Sequence, residues 1–169
     1  MNEEINSFEE NQAWEYVDPP MSSTIVGCKW VFKKKVNSEG EVKYRARLVA
    51  KGFNQRQGLD YDETFSPVVR HSTLRLLFSL SVSLNLDIRH LDVKTAFLNG
   101  ILKDTVFMKQ PEGFTSTDQS KVLKLNKAIY GLKQASRAWN ERVNSILLKI
   151  GYKKSKFEPC LFIKNTNSA

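Results

Sequence analysis

Apolar and polar positions change period several times along the chain, and each change marks an element. Over Asn2 to Asn11, Ile5 and Phe8 fall on one face, which predicts a short helix. Asp18-Pro19-Pro20 then breaks the chain. Thr24 to Val36 reads as a strand. Asn37-Ser38-Glu39-Gly40 is a turn, because Asn, Ser and Gly favour turn geometry. Glu41 to Gly52 reads as the returning strand, so the two make a long hairpin. A polar loop follows from Asn54 to Pro67. Ser72 or Thr73 is a candidate cap for a helix whose apolar positions are Leu74, Leu77, Phe78 and Leu84.

Leu86 to Val93 predicts a buried strand ending at Asp92. Thr105 to Lys109 and Lys121 to Leu125 predict two short strands around a Pro111-Glu112-Gly113 turn. The clearest helix is expected over Gln134 to Ile150, with a stripe at Ala135, Ala138, Trp139, Val143, Ile146, Leu147 and Ile150. Gly151 is its stop. Cys160 to Lys164 predicts a last strand and Asn165 to Ala169 a polar tail. Strand, short strands, helix, strand is the order of an α+β fold, an antiparallel sheet with helices on one face.

The chain's 169 residues suffice for one domain with a core, or for pieces of two small subdomains. A hydrophobic content of 41% argues for a globular chain. The formal charge is +8, and it is uneven. Residues 1–20 hold six acidic residues and no basic one, and the remainder holds 26 basic residues against 12 acidic. Such a basic body suits an anionic partner, nucleic acid above all. No apolar run approaches a membrane span of roughly 18 residues, and the acidic start is no signal peptide. Cys28 and Cys160 lack metal-site spacing and read as reduced thiols of an intracellular protein.

Three places carry candidate chemistry. Asp92 follows an apolar run, where a carboxylate serves either as a helix cap or as a metal ligand. Phe97, five residues on, is either core or a ring that excludes a 2′-hydroxyl. The hairpin holds nine Lys and Arg against two Glu between Met21 and Arg56. Lys33, Lys34 and Lys35 face Arg45 and Arg47 across one turn, with Trp30, Phe32 and Tyr44 interleaved. Converging cations hold a triphosphate, and exposed rings stack on an unpaired base. Alternation puts Arg45 and Arg47 on one strand face, and either suits as the triphosphate ligand. The alternative is a solvated charged surface. Tyr130-Gly131 opens the best helix, where Gly131 allows close backbone approach to a nucleotide or simply makes a turn.

Taken together these segments resemble the reverse transcriptase of Ty1/copia-type LTR retrotransposons. The matching stretches are Gly27-Cys28-Lys29-Trp30-Val31-Phe32-Lys33, Tyr44-Arg45-Ala46-Arg47-Leu48-Val49-Ala50-Lys51-Gly52-Phe53 and Asp60-Tyr61-Asp62-Glu63-Thr64-Phe65-Ser66-Pro67-Val68-Val69. Leu91-Asp92-Val93, Ala96-Phe97-Leu98 and Tyr130-Gly131-Leu132-Lys133-Gln134-Ala135-Ser136-Arg137 complete them.

The resemblance implies a right-hand polymerase. Residues 1–20 are an acidic N-terminal segment, 21–85 fingers with the basic hairpin, and 86–169 a partial palm. It implies Asp92 as the first catalytic aspartate, with the Val93 carbonyl a further metal ligand, for two Mg2+ ions in the complete enzyme. It implies Phe97 as steric gate, and Arg45 or Arg47 with one of Lys33, Lys34 and Lys35 as triphosphate grip. Tyr130 and Gly131 line the nucleotide site, and Trp30 and Lys133 meet the template. The implied partners are an RNA or DNA template-primer, dNTPs and the remaining polyprotein segments, with no membrane, in a cytoplasmic retroelement particle or the nucleus.

Family members continue past the 160–164 strand into a Tyr-Val-Asp-Asp hairpin that these residues lack. Asp104, Glu112, Asp118, Glu141 and Glu158 are scattered singly. The expectation is an incomplete RNA-directed DNA polymerase, truncated before its second catalytic hairpin and inactive alone. The alternatives are a non-catalytic nucleic-acid-binding remnant and a piece without stable function.

Overall fold

A computed structural model describes residues 1–165; the polar tail read from Asn165 lies beyond that residue outside the described range. In chain order the elements are α1 (Asn2–Glu10), β1 (Trp14–Val17), β2 (Ile25–Val26), β3 (Cys28–Val36), β4 (Val42–Ala50), α2 (His71–Ser83), β5 (Ile101–Met108), β6 (Val122–Lys127), α3 (Ala135–Lys149), β7 (Lys153–Lys154) and β8 (Phe162–Ile163). Short 3-10 turns occupy Gly52–Asn54 and Ala96–Asn99. The mixture is α+β. The chain forms two compact units, Met1–Phe65 with Thr95–Trp139, and Ser66–Lys94 with the chain from Asn140.

In the first unit a four-stranded sheet runs β1-β6-β5-β2. β1 and β5 both pair antiparallel with β6, but β2 pairs parallel with β5. The sheet is therefore mixed, not antiparallel throughout. A parallel pair needs a long connection, and the stretch between Val26 and Ile101 supplies it. The strand expected over Thr24 to Val36 is split for the same reason. Ile25 and Val26 pair with β5, while from Cys28 onward the chain pairs with β4. Gly27 is the joint, its carbonyl accepting from Lys51 N–H at 2.7 Å.

β3 and β4 pair in register from Cys28↔Ala50 to Val36↔Val42. The turn joining them forms as expected: Asn37 Oδ1 accepts the N–H groups of Glu39 and Glu41, and Gly40 takes a φ of +80°. Val26, Leu48, Val106, Met108, Leu123 and Ile129 are almost fully buried. Each contributes roughly 1.5–3 kcal/mol relative to exposure. α1 closes this core with Ile5 and Phe8, and the Phe8 ring stacks on Trp14 at 4.6 Å.

The second unit departs furthest from expectation. The buried strand expected over Leu86 to Val93 is absent; the segment is irregular and exposed throughout. A strand exists only through a partner's backbone, and among the described residues none pairs with this segment. Leu86, Ile88 and Leu91 are accordingly 57%, 60% and 85% exposed. α2 is not capped by Ser72 or Thr73. Arg70 holds the cap position without a side-chain bond, and Thr73 Oγ1 instead donates to Glu158 at 3.1 Å. Leu77, Phe78 and Leu84, read as its apolar stripe, are exposed, and its buried residue is Ser81.

α3 ends as expected at Gly151, whose φ of +92° lets Gly151 N–H and Tyr152 N–H bond back to Leu148 and Leu147. The strand read over Cys160 to Lys164 shortens to β8, paired with β7. No helix among the described residues is long and apolar enough to cross a membrane.

Candidate nucleotide and nucleic-acid interface

The hairpin register decides which side chains share a face. Lys33 lies opposite Arg45, Lys35 opposite Lys43, and Val31 opposite Arg47. Lys29 falls on the same side, so one face carries six cations. The other face carries Trp30, Phe32, Val36, Val42, Tyr44, Ala46 and Leu48, with Lys34 its one cation. Lys34 therefore does not join Lys33, Arg45 and Arg47 on their face. Trp30 is also removed from an open stacking surface. Its Nε1–H donates to the Glu112 carbonyl at 3.0 Å, and its ring packs on Phe114 at 5.6 Å.

Three of the expected nucleotide residues do meet. The Arg47 guanidinium carbon sits 4.9 Å from the centre of the Tyr130 ring. On Tyr130 packs Phe97, edge to face at 4.7 Å. Phe97 stands on the 3-10 turn Ala96–Asn99, half-buried against the core. A guanidinium over a ring gains cation–π attraction, about 0.5–2 kcal/mol according to desolvation. It stays charged at any ordinary pH and presents its N–H groups in one plane, which matches a phosphate. Arg47 Nε is buried with no hydrogen-bond partner among the described residues. A buried donor without a partner is rare and calls for an explanation, and an anion would satisfy it.

Backbone contacts fix this cluster. Ala50 N–H donates to the Tyr130 carbonyl at 2.8 Å. Gly131 has a φ of +92°, and a Cβ there would lie 2.1 Å from the Ala50 oxygen. A Cβ on Gly52 would likewise lie 2.0 Å from the Gly131 oxygen. The close approach expected of Gly131 is thus made to the backbone beside it.

The sequence hid the supports of this cluster. Gln55 Nε2 donates to Gln134 Oε1 at 3.0 Å, and Gln55 Oε1 accepts Lys133 N–H at 2.8 Å. Gln134 Nε2 donates to the Asp60 carbonyl and to Asp104 Oδ2. Gln55, Asp60 and Gln134 are buried. Nothing in a polar loop distinguishes a glutamine that will be buried from one that will be solvated. Lys133 itself is exposed, its backbone held while its ammonium is open to solvent.

Asp92 and Val93 belong to the second unit, on the exposed segment. Magnesium takes about six oxygen ligands. Among the described residues no three His, Cys, Asp or Glu side chains gather as a metal site. One carboxylate and one backbone carbonyl do not fit two ions. Cys28 and Cys160 are free thiols, and burial raises the pKa of Cys28 above its ordinary value.

A family model described as reverse transcriptase (RNA-dependent DNA polymerase) matches residues 11–169. The chain is 51% identical over 166 residues to the Retrovirus-related Pol polyprotein from transposon RE1 of Arabidopsis thaliana, covering 96% of this chain and 11% of that protein. It is 45% identical over 166 residues to the counterpart from transposon TNT 1-94 of Nicotiana tabacum, covering 97% and 12%. The Transposon Ty1-LR2 Gag-Pol polyprotein of Saccharomyces cerevisiae is 27% identical over 181 aligned positions, covering 96% and 10%. The chain thus spans about a tenth of the length of these relatives. No solved structure matches it.

Proposed function

The chain belongs to the reverse transcriptase (RNA-dependent DNA polymerase) family of Ty1/copia-type Pol polyproteins, and we propose that it is the part of such an enzyme that receives nucleotide and template. The observation that carries this reading is the stack of Arg47, Tyr130 and Phe97 beside the cationic hairpin face. In this reading Arg47 takes the triphosphate bidentately, with Arg45 and Lys33 adding charge from the same face. Phe97, packed edge-on against Tyr130, excludes a ribose 2′-hydroxyl. Tyr130 supports both.

The hairpin is then fingers, and Asp92 is the first palm carboxylate. The partners are a template-primer, dNTPs and the other segments of the Pol polyprotein. Phosphoryl transfer depends on neutralising the charge that develops on the transferring group. The 169 residues contain no Asp-Asp pair, and among the described residues no three His, Cys, Asp or Glu side chains gather as a metal site. The chain alone therefore holds and orients without turning over. Primer extension with the purified 169-residue chain, a template-primer, dNTPs and magnesium is expected to give no product; clear magnesium-dependent synthesis would overturn this reading.

A second reading is favoured by the six cations on one hairpin face. The chain then binds nucleic acid without chemistry, with affinity that falls steeply as salt rises. Affinity insensitive to salt would contradict it.

A further inference from the structure

Among the described residues β3 and β4 form a sheet of two strands. Such a ribbon is marginal in water unless something packs on it. Here packing is confined to the inner end. Cys28, Trp30, Leu48 and Ala50 are buried or half-buried, while Val31–Val36 and 42–45 are exposed. The direction of the outer hairpin is therefore set by whatever holds its base.

The β4 side of that base is held through its main chain. Ala50 N–H donates to the Tyr130 carbonyl at 2.8 Å, and Leu48 N–H to Glu4 Oε1 at 3.2 Å. The β3 side carries a side-chain anchor. Trp30 Nε1–H donates to the Glu112 carbonyl at 3.0 Å, and its ring packs on Phe114 against the core. Cys28 Sγ adds a weaker contact to the Lys109 carbonyl at 3.4 Å.

The carbonyl that receives the indole is itself fixed. Gln110 Oε1 accepts Ser116 N–H at 2.6 Å, while its Nε2 donates to the Asp118 and Lys121 carbonyls at 2.9 and 2.8 Å. One side chain thus gathers the 110–121 loop. Phe114 N–H bonds back to the Pro111 carbonyl at 3.1 Å and closes the turn that presents Glu112.

Trp30 lies opposite Leu48, the chain neighbour of Arg47, and Lys33 stands three residues further out. Three strand residues span roughly 10 Å, so a tilt of about 10° at Trp30 moves Lys33 by about 2 Å. Binding groups need placement to within about 0.5 Å.

We propose that Trp30 is a positioning residue: seated on the loop that Gln110 organises, its indole sets the angle at which the hairpin presents Lys33, Arg45 and Arg47. The proposal rests on the reading of that cationic face as the triphosphate grip, and adds what aims it. It also makes the 110–121 loop a remote control of the grip, acting through one indole N–H.

The test compares the 169-residue chain with Trp30→Phe, Gln110→Ala and Glu112→Ala. Two readouts are taken: affinity for a fluorescent deoxynucleoside triphosphate, and the NMR resonances of the Arg47 Nε–H and the Tyr130 ring. Trp30→Phe keeps a ring for Phe114 and loses the donor. It is expected to weaken binding about fivefold, the weight of one neutral hydrogen bond, and to shift both resonances. Gln110→Ala should do the same with Trp30 intact. Glu112→Ala keeps the carbonyl and should change neither readout.

Unmoved resonances and unchanged affinity in Trp30→Phe would overturn the proposal. A lowered melting temperature with affinity and resonances intact would also overturn it, leaving Trp30 a packing residue only. Equal losses in Glu112→Ala would overturn the carbonyl anchor. Resonances that shift in Trp30→Phe and Gln110→Ala, with no triphosphate bound even by the unaltered chain, would support the anchor and remove the nucleotide reading instead.

Discussion

The Arg47 guanidinium carbon and the Tyr130 ring centre are 4.9 Å apart, although 82 residues separate them in sequence. Tertiary contacts bring them together: the Ala50 N–H bond to the Tyr130 carbonyl, and the near-contact of two glycine backbones. What holds Arg47 and Tyr130 together is thus largely main chain.

That dependence makes Gly131 critical. Gly131→Ala places a Cβ against the Ala50 oxygen at a φ of +92°, and should destabilise the chain by at least about 2 kcal/mol. Gly113 also has a positive φ, +79°, but nothing lies within 4 Å of a Cβ there. Gly113→Ala should cost only the backbone strain, about 1–2 kcal/mol. Urea unfolding of the two variants measures the difference, and equal losses would contradict the close-approach explanation.

Gln55 and Gln134 should behave as a coupled pair. Gln55→Leu leaves Lys133 N–H and Gln134 Oε1 without their partner, at a cost of about 1–3 kcal/mol. Gln134→Leu strands Gln55 Nε2 in the same way. A double-mutant cycle by chemical denaturation should find the double variant less destabilised than the two losses added. Additive losses would mean that the two amides act independently.

Glu158 ties the start of α2 to the β7–β8 connection. Its carboxylate accepts Cys160 N–H at 3.1 Å, Arg70 N–H at 3.3 Å and the Thr73 hydroxyl at 3.1 Å. These bonds, that from Cys160 foremost, hold its pKa below the ordinary 4.5 against the opposing effect of burial. A carboxyl lowered in the folded state stabilises above its unfolded pKa, and that stability is lost as pH falls through the folded value. Glu158→Gln should therefore melt below the unaltered chain at neutral pH, and the gap should narrow as pH drops below about 4.5. Thermal unfolding at several pH values reads this directly; a gap that stays constant would remove Glu158 from the role.

Much of this was legible in the sequence, and the misses have physical causes. The hairpin, α1 and α3 announce themselves through local signals: a turn built on Asn37 and Gly40, a helical spacing of Ile5 and Phe8, a stop at Gly151. The segment 86–93 has the apolar content of a strand, yet strand formation depends on a partner that local pattern does not reveal. The hairpin faces were readable only in part. Alternation puts Arg45 and Arg47 together, but the register that sends Lys34 and Trp30 to the other side is set by where the turn closes. The Gln55–Gln134 network was invisible because two glutamines 79 residues apart carry no shared signal.

The most direct measurement is equilibrium binding of a fluorescent deoxynucleoside triphosphate to the 169-residue chain, compared among the unaltered protein, Arg47→Ala, Tyr130→Phe and Arg75→Ala. Arg75, exposed on α2 in the second unit, controls for the loss of one positive charge. Arg47→Ala is expected to weaken binding about tenfold or more, as loss of a charge-assisted phosphate contact requires. Tyr130→Phe, which keeps the ring, and Arg75→Ala should bind nearly as the unaltered chain does. Binding unchanged in Arg47→Ala, or weakened equally in Arg75→Ala, would contradict the assignment of Arg47 and Tyr130 to the nucleotide.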